Sequence, residues 1–417
     1  MIDQPINFLG DSAWAMPTVI FVNIWRSFPY YTISFLAALQ AIPGDLYEAA
    51  ALDGASAWRR FWSITMPQLR STSLIIVFIH LIWTAVNFDF IWVLTQGGPN
   101  YATITLPILI YRYSMQDFNV GMASALSTLM LIGTSLIFVV YYRYRRKLSE
   151  EIVARRPAMN ATAQRRLSHL VTYVLLVLLS VYCLFPFLWM LISSFKPKTE
   201  IRSRVPSFWI ENPTLENFTN VLVDHNFTTY IRNSLFVSLC ACGLSLVISL
   251  LAGYVFSRFF RMRAVKYTNF FMLVSQMIPG VLLLVPLYIT MRNLGILESH
   301  LSLILAYTTF VIPLCTFMLS SGYDSIPITL EEAAQLDGCS RLGTLRRVIL
   351  PVMIPTIVSV GLYAFINAWN EFMFGYIFIS QDSLRTLTPA IMLFKGANSI
   401  DWGGLMAASV IAVAPVA

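Results

Sequence analysis

Two sets of side chains in this 417-residue sequence could do chemistry, and neither is arranged for catalysis. The first is a constellation of charges that occurs twice. Glu48, Asp53 and Arg59 accompany Ala49, Ala50 and Gly54; later, Glu332, Asp337 and Arg346 accompany Ala333, Ala334 and Gly338. A connector that merely links helices is the plain account of one such segment, and the same acidic residues made twice in the same places argue against it. The second set is polar residues inside apolar runs: Arg26, Trp83, Asn87 and Asp89 early, then Asn367, Trp369, Asn370 and Glu371. Such groups are costly within a bilayer and by default mark a solute path. An indole beside an amide or carboxylate suits a sugar, the ring covering C–H groups while polar atoms bond hydroxyls. Bonds between helices and an interfacial aromatic belt account for the same residues equally well. Gly338 to Gly343 has the spacing of a phosphate loop, but Thr344 stands where that loop needs lysine. The four histidines are scattered and the five cysteines lie mostly in apolar runs, without metal-type spacing.

The elements that carry the charges form a repeat. Residues 42–67 and 326–351 align without a gap at a spacing of 284, and eleven of the 26 positions are identical. Pro43 and Pro327 suit a helix start. Good helix formers follow, from Glu48 to Leu52 and Glu332 to Leu336, and Gly54 and Gly338 can end a helix in the left-handed conformation. A second short helix then carries the arginines, with Asp53 and Asp337 placed to cap it. Pro67 and Pro351 open long apolar runs. Each copy reads as a helix–turn–helix elbow between two membrane spans.

At these residues the chain resembles the membrane subunits of binding-protein-dependent ATP-binding-cassette importers. Their signature is Glu-Ala-Ala, three residues, then Gly. The run Tyr47-Glu-Ala-Ala-Ala-Leu-Asp-Gly-Ala-Ser56 resembles the carbohydrate-importer branch. The resemblance implies a MetI-like permease fold whose elbows are coupling helices docked on a cytoplasmic ATPase dimer. It places ATP and Mg on that partner and no cofactor on this chain. It also implies an external solute-binding protein and a sugar held among membrane helices.

With 57% hydrophobic and 12% charged residues, the composition excludes an ordinary soluble protein. Apolar stretches of about 20 residues match a bilayer. The expectation is an all-α membrane protein of about nine spans, near 14–40, 72–94, 123–142, 170–195, 235–256, 267–291, 301–320 and 352–378, with a ninth from about 405. Residues 1–13 carry no signal-peptide pattern. With both elbows in the cytoplasm, 18 of the 28 Lys and Arg fall on that side, as the positive-inside rule requires. That asymmetry makes nucleic acid the poorer account of the +7 charge. Arg26, mid-span, either counters Asp89 or snorkels outward. Pro279, Pro286, Pro313 and Pro355 free carbonyls inside spans, as hinges or ordinary kinks.

Residues 1–142 resemble the C-terminal part of a first permease subunit, 143–168 a basic cytoplasmic linker, and 169–417 a nearly complete second subunit. Another permease chain is then expected to supply further spans, in a bacterial cytoplasmic membrane. An importer of another solute and a transport-dead fusion that only binds partners are the competing expectations.

Overall fold

The computed structural model describes residues 6–40, 42–153, 165–203, 207–276, 278, 280–396 and 399–416. It is helical throughout these, with one isolated antiparallel bridge at Lys395–Ile400. The chain divides into two compact units, Met1–Phe187 and Leu188–Ala417.

The first unit contains α1 (Ser12–Gln40), α2 (Gly44–Leu52), α3 (Ala57–Arg60), α4 (Met66–Ala85), α5 (Asp89–Thr95), α6 (Leu106–Tyr111) and α7 (Val120–Val153). The division falls inside α8 (Arg165–Ser194). The second unit continues with α9 (Lys198–Ile201), α10 (Glu216–Thr219), α11 (Phe227–Arg258), α12 (Arg263–Ser275), α13 (Leu284–Asn293) and α14 (His300–Asp324). It ends with α15 (Ile328–Leu336), α16 (Arg341–Thr344), α17 (Leu350–Val352), α18 (Ile354–Trp369), α19 (Met373–Phe378), α20 (Leu387–Ala390) and α21 (Trp402–Val413).

The repeat seen in the sequence extends far beyond the elbow. At the same spacing of 284, α2 becomes α15, α3 becomes α16, α4 and α18 end together, and α5 and α19 start together. Pro29 inside α1 corresponds to Pro313 inside α14, and both of those helices end at matching residues. Between α3 and α4, and between α16 and α17, lies the same five-residue π-helical turn, Phe61–Thr65 and Leu345–Ile349. A cause stands two residues beyond the end of each turn. Pro67 or Pro351 in a regular α-helix would clash with the carbonyl four residues back. Widening the turn moves that carbonyl away, and the amides of Met66 and Leu350 bond Phe61 and Leu345 instead.

Among the described residues three helices are long and apolar enough to cross a bilayer: Val120–Tyr141, Phe227–Arg258 and His300–Asp324. Three helix pairs bent by more than 40° bring the number to six if each pair is one span. Arg263–Ser275 meets Gly280–Asn293 at 100°, with Pro286 in the first turn of α13, and Arg341–Val352 meets Ile354–Trp369 at 79°, with Pro355 just past the bend. Pro279 lies outside the described residues. α1 has 29 residues, but Asn23, Arg26 and Ser27 dilute its apolar character. Two expected spans are shorter than anticipated. The run 72–94 breaks between Ala85 and Asp89, and 352–378 breaks between Trp369 and Met373. Hydropathy is blind to both breaks, because the residues on either side are equally apolar.

The second unit packs α11 against α14 and α18. On α11, Ser238, Ala241, Ser245, Ser249 and Gly253 are buried, a small-residue face of the kind that lets membrane helices approach closely. A Cβ at Gly253 would stand 3.1 Å from both Leu319 Cβ and the Ser320 amide nitrogen. Two apolar cores result. One, around Cys315, Leu319, Tyr323, Ile349 and Val360, lies toward the elbow. The other, around Phe227, Tyr230, Trp369, Phe394 and Ala407, lies at the opposite end of α11.

Candidate functional site

Each elbow is built by local rules that both copies obey. Pro43 (φ −57°, ψ 130°) and Pro327 (φ −58°, ψ 133°) are the residues just before their helices rather than the first helical ones. α2 closes on a Schellman motif: the Gly54 amide donates to the Ala51 carbonyl at 3.1 Å and the Ala55 amide to Ala50 at 2.9 Å. The second copy repeats it with Gly338 to Gln335 at 3.0 Å and Cys339 to Ala334 at 2.9 Å. Gly54 (φ +75°) and Gly338 (φ +83°) supply the left-handed residue as expected.

The caps of the second short helix differ from expectation. Ser56 accepts from the Arg59 amide at 3.3 Å and Ser340 from the Gly343 amide at 3.2 Å. Asp53 and Asp337 instead close the first short helix, three residues too early to reach those amides, and their side chains are exposed. The remaining coupling candidates form the elbow surface. Glu332, Ala333, Gly338 and Arg346 are exposed, as are Gly54 and Arg59, while Glu48, Ala49 and Ala50 are half-buried and Ala334 is buried. Among the described residues neither Glu48 nor Glu332 makes an ion pair within the chain. These carboxylates are presented, not consumed.

The neighbour of Glu332 behaves oppositely. Glu331 is only 4% exposed. Its carboxylate accepts from Arg258 Nε at 2.5 Å and from the Tyr254 hydroxyl at 3.0 Å, both near the end of α11. Sequence reasoning missed this trio. The available signal was a mismatch between the copies, since the position matching Glu331 is Tyr47, whose hydroxyl lies 2.8 Å from Thr65 Oγ1 in its own elbow.

The polar residues of the apolar runs divide into structural and exposed groups. Trp83 and Asn87 do not share a helix face, because α4 has ended before Asn87. Asn87 Oδ1 accepts from the Phe90 amide at 3.3 Å and caps α5. Glu371, 284 residues later, does the same for α19, accepting from the Phe374 amide at 2.8 Å and Gly375 at 3.1 Å. Trp369 is a core residue, 2% exposed, donating from Nε1 to the Ala412 carbonyl at 3.0 Å and stacking on Phe365. Trp369→Phe should therefore lower the thermal stability of the second unit by about 1–2 kcal/mol, with solute preference unchanged. A changed preference would place the indole in the solute path. Exposed positions remain at Trp83, whose ring centroid is 5.2 Å from that of Tyr30, and at Asp89, Asn367 and Asn370. Asn367 Nδ2 donates to the Tyr363 carbonyl at 2.8 Å. Arg26 is exposed, its guanidinium 5.9 Å from the Phe90 ring centroid beside Asp89, and no ion pair within 4 Å joins the two among the described residues. No group of three or more metal-ligating side chains occurs among the described residues.

Comparison with known proteins gives this architecture its family. The chain is 38% identical over 234 residues to the sulfoquinovosyl glycerol transport system permease protein SmoH of Agrobacterium fabrum, covering 56% of this chain and 82% of that one. It is 35% identical over 244 residues to the trehalose/maltose transport system permease protein MalG of Thermococcus litoralis, covering 58% and 86%. Against the diacetylchitobiose uptake system permease protein DasC of Streptomyces coelicolor it is 32% identical over 241 residues, covering 58% and 87%. A chain in the crystal structure of a bacterial ABC transporter involved in import of the acidic polysaccharide alginate shares the fold, with a TM-score of 0.54 at 20% identity, covering 62% of this chain and 96% of that one. The family model of binding-protein-dependent transport system inner membrane components matches residues 3–150 and 245–417, one stretch in each compact unit. This multi-pass chain, with its paired elbows and bent apolar helices, belongs to that family of ABC-transporter permeases.

Proposed function

We propose that the chain is the membrane-spanning component of an ATP-driven, binding-protein-dependent carbohydrate importer. The observation that carries this is the duplicated elbow, alike in backbone angles, glycine turn and serine cap, with Glu332 exposed and in no ion pair among the described residues. Sugar is favoured over other solutes because three similar permeases are named for sugar conjugates or oligosaccharides. Both elbows face the cytoplasm and seat on an ATPase dimer, which binds ATP and Mg; this chain itself is not an enzyme. Closure of the dimer draws the elbows together, and the attached spans rock to open a central path alternately. A rigid helix pair with two arrangements is the element such coupling needs. Of the polar candidates, Arg26, Trp83 and Asp89 in the first unit and Asn367 and Asn370 in the second have surface to offer a sugar.

In this reading residues 1–142 form one permease domain, 143–168 a basic cytoplasmic linker and 169–417 a second permease domain. An external binding protein delivers solute. The test is reconstitution into liposomes with the ATPase and binding protein encoded beside it. ATP-dependent uptake of a labelled oligosaccharide, and not of an amino acid or oxyanion, is the expected result. Uptake of one of the latter alone would replace the solute class. ATPase binding without uptake of any solute would leave a partner-binding fusion.

A further inference from the structure

We infer that the buried Glu331–Arg258 pair is a positioning device for transport, locking the second elbow to α11 so that the two move as one arm. This rests on the elbow being the ATPase-facing element, as proposed above. Arg258 spends every face of its guanidinium on the junction. Nε pairs with Glu331 in α15, Nη1 donates to Ser257 Oγ at 3.0 Å, and Nη2 donates to the Ile326 carbonyl at 3.1 Å, in the turn that enters the elbow. Ser257 in turn donates to Asp324, the last residue of α14. Tyr254 holds the second oxygen of Glu331. The other half of the elbow grips the same place, for the Arg341 guanidinium lies 6.0 Å from the ring centroid of Phe259, the residue after α11.

Stability alone is a poor account of this arrangement. Taking a carboxylate and a guanidinium out of water costs about as much as their attraction returns, and apolar packing would hold the helices together as well. Apolar packing, however, permits sliding and rotation, whereas a planar fork bonded to three elements does not. The far end of α11 is tied just as directionally. Asn233 Nδ2 donates to the Ser383 and Arg385 carbonyls at 2.9 and 3.0 Å, and Ser234 Oγ accepts from the Leu387 amide at 2.7 Å. At 32 residues α11 is about 48 Å long, so one helix links the elbow to the loops on the opposite side of the bilayer. The first elbow carries Tyr47 at the matching position, bonded within its own elbow. The latch therefore belongs to the second elbow, and α11 is its lever.

The experiment uses the reconstituted complex with ATPase and binding protein, reading ATPase co-purification, ATP hydrolysis and solute moved per ATP. Glu331→Gln should keep ATPase binding within about twofold while solute per ATP falls about tenfold. Exchanging the charges, with Glu331→Arg and Arg258→Glu together, should recover most of the loss. A covalent version separates coupling from folding. In a chain whose five native cysteines are replaced, Tyr254→Cys with Glu331→Cys should transport poorly until a short bismaleimide joins the two, and then regain uptake. Unchanged solute per ATP in Glu331→Gln would overturn the latch. So would a bridge that blocks transport, or a charge exchange that restores nothing. If the unsubstituted chain recruits no ATPase, the importer reading falls first and takes the latch with it.

Discussion

Glu332→Arg should abolish productive transport, lowering ATP-dependent uptake by at least about tenfold while membrane insertion and the fold of the second unit are retained. The residue is exposed, has no ion pair among the described residues, and stands on the outer face of α15. No ion pair among the described residues is lost on substitution. On the docking proposed above, the carboxylate facing a basic site of the ATPase becomes a like charge, and such juxtapositions cost several kcal/mol at an interface. Each 1.4 kcal/mol is a factor of ten in affinity. The measurement is co-purification of the ATPase with the variant, together with uptake in liposomes. Full uptake would remove Glu332 from the interface. Loss of the folded chain itself would show that the residue has a structural role the geometry does not reveal. Glu331→Gln differs in kind, since there the partner is internal and docking should survive.

Gly253→Leu should be the most damaging single change to the fold of the second unit. The glycine faces Leu319, the Ser320 amide and the Thr316 carbonyl, all within 3.3 Å of where a Cβ would stand. Two of those three atoms are backbone, so no rotamer change can clear the space. Helices α11 and α14 must part or shift along one another, and overpacking of this kind costs about 1–3 kcal/mol or more. The small residues above Gly253 on α11 would lose their close contacts at the same time. Thermal unfolding in detergent should show a clearly lowered midpoint, with Gly253→Ala intermediate. A leucine variant as stable as the parent would mean that the two helices are not held at glycine distance.

What the sequence revealed depended on how local each cause is. The elbow was legible because proline, glycine and serine act on their own backbone within a few residues, and the second copy confirmed the pattern without any tertiary information. Asp53 and Asp337 differ from the capping Ser56 and Ser340 in position, three residues earlier, and not in capping chemistry. Aspartate and serine cap equally well, and only the left-handed glycine between them fixes where the next helix begins. The breaks after Ala85 and Trp369 carry a local signal in Asn87 and Glu371, which cap the helices that follow, but window-averaged hydropathy hides it because the flanking residues are apolar. For Trp369 the sequence leaves solute contact and helix packing equally open, because its partner, Ala412, is 43 residues away and offers a backbone carbonyl that no side-chain pattern betrays. Glu331 and Glu332 are adjacent and identical in type. Which one turns inward is decided by the end of α11, more than 70 residues earlier.

The widened turns before Met66 and Leu350 set how each elbow hands over to the helix that follows it. Each accommodates one residue beyond a regular turn, and a single residue corresponds to about 100° of rotation about a helix axis. The same surplus sits at the same point of both copies, although Phe-Trp-Ser-Ile-Thr and Leu-Arg-Arg-Val-Ile agree at no position. Loss of one residue from either turn would rotate the helix that follows by about a quarter revolution against its own elbow.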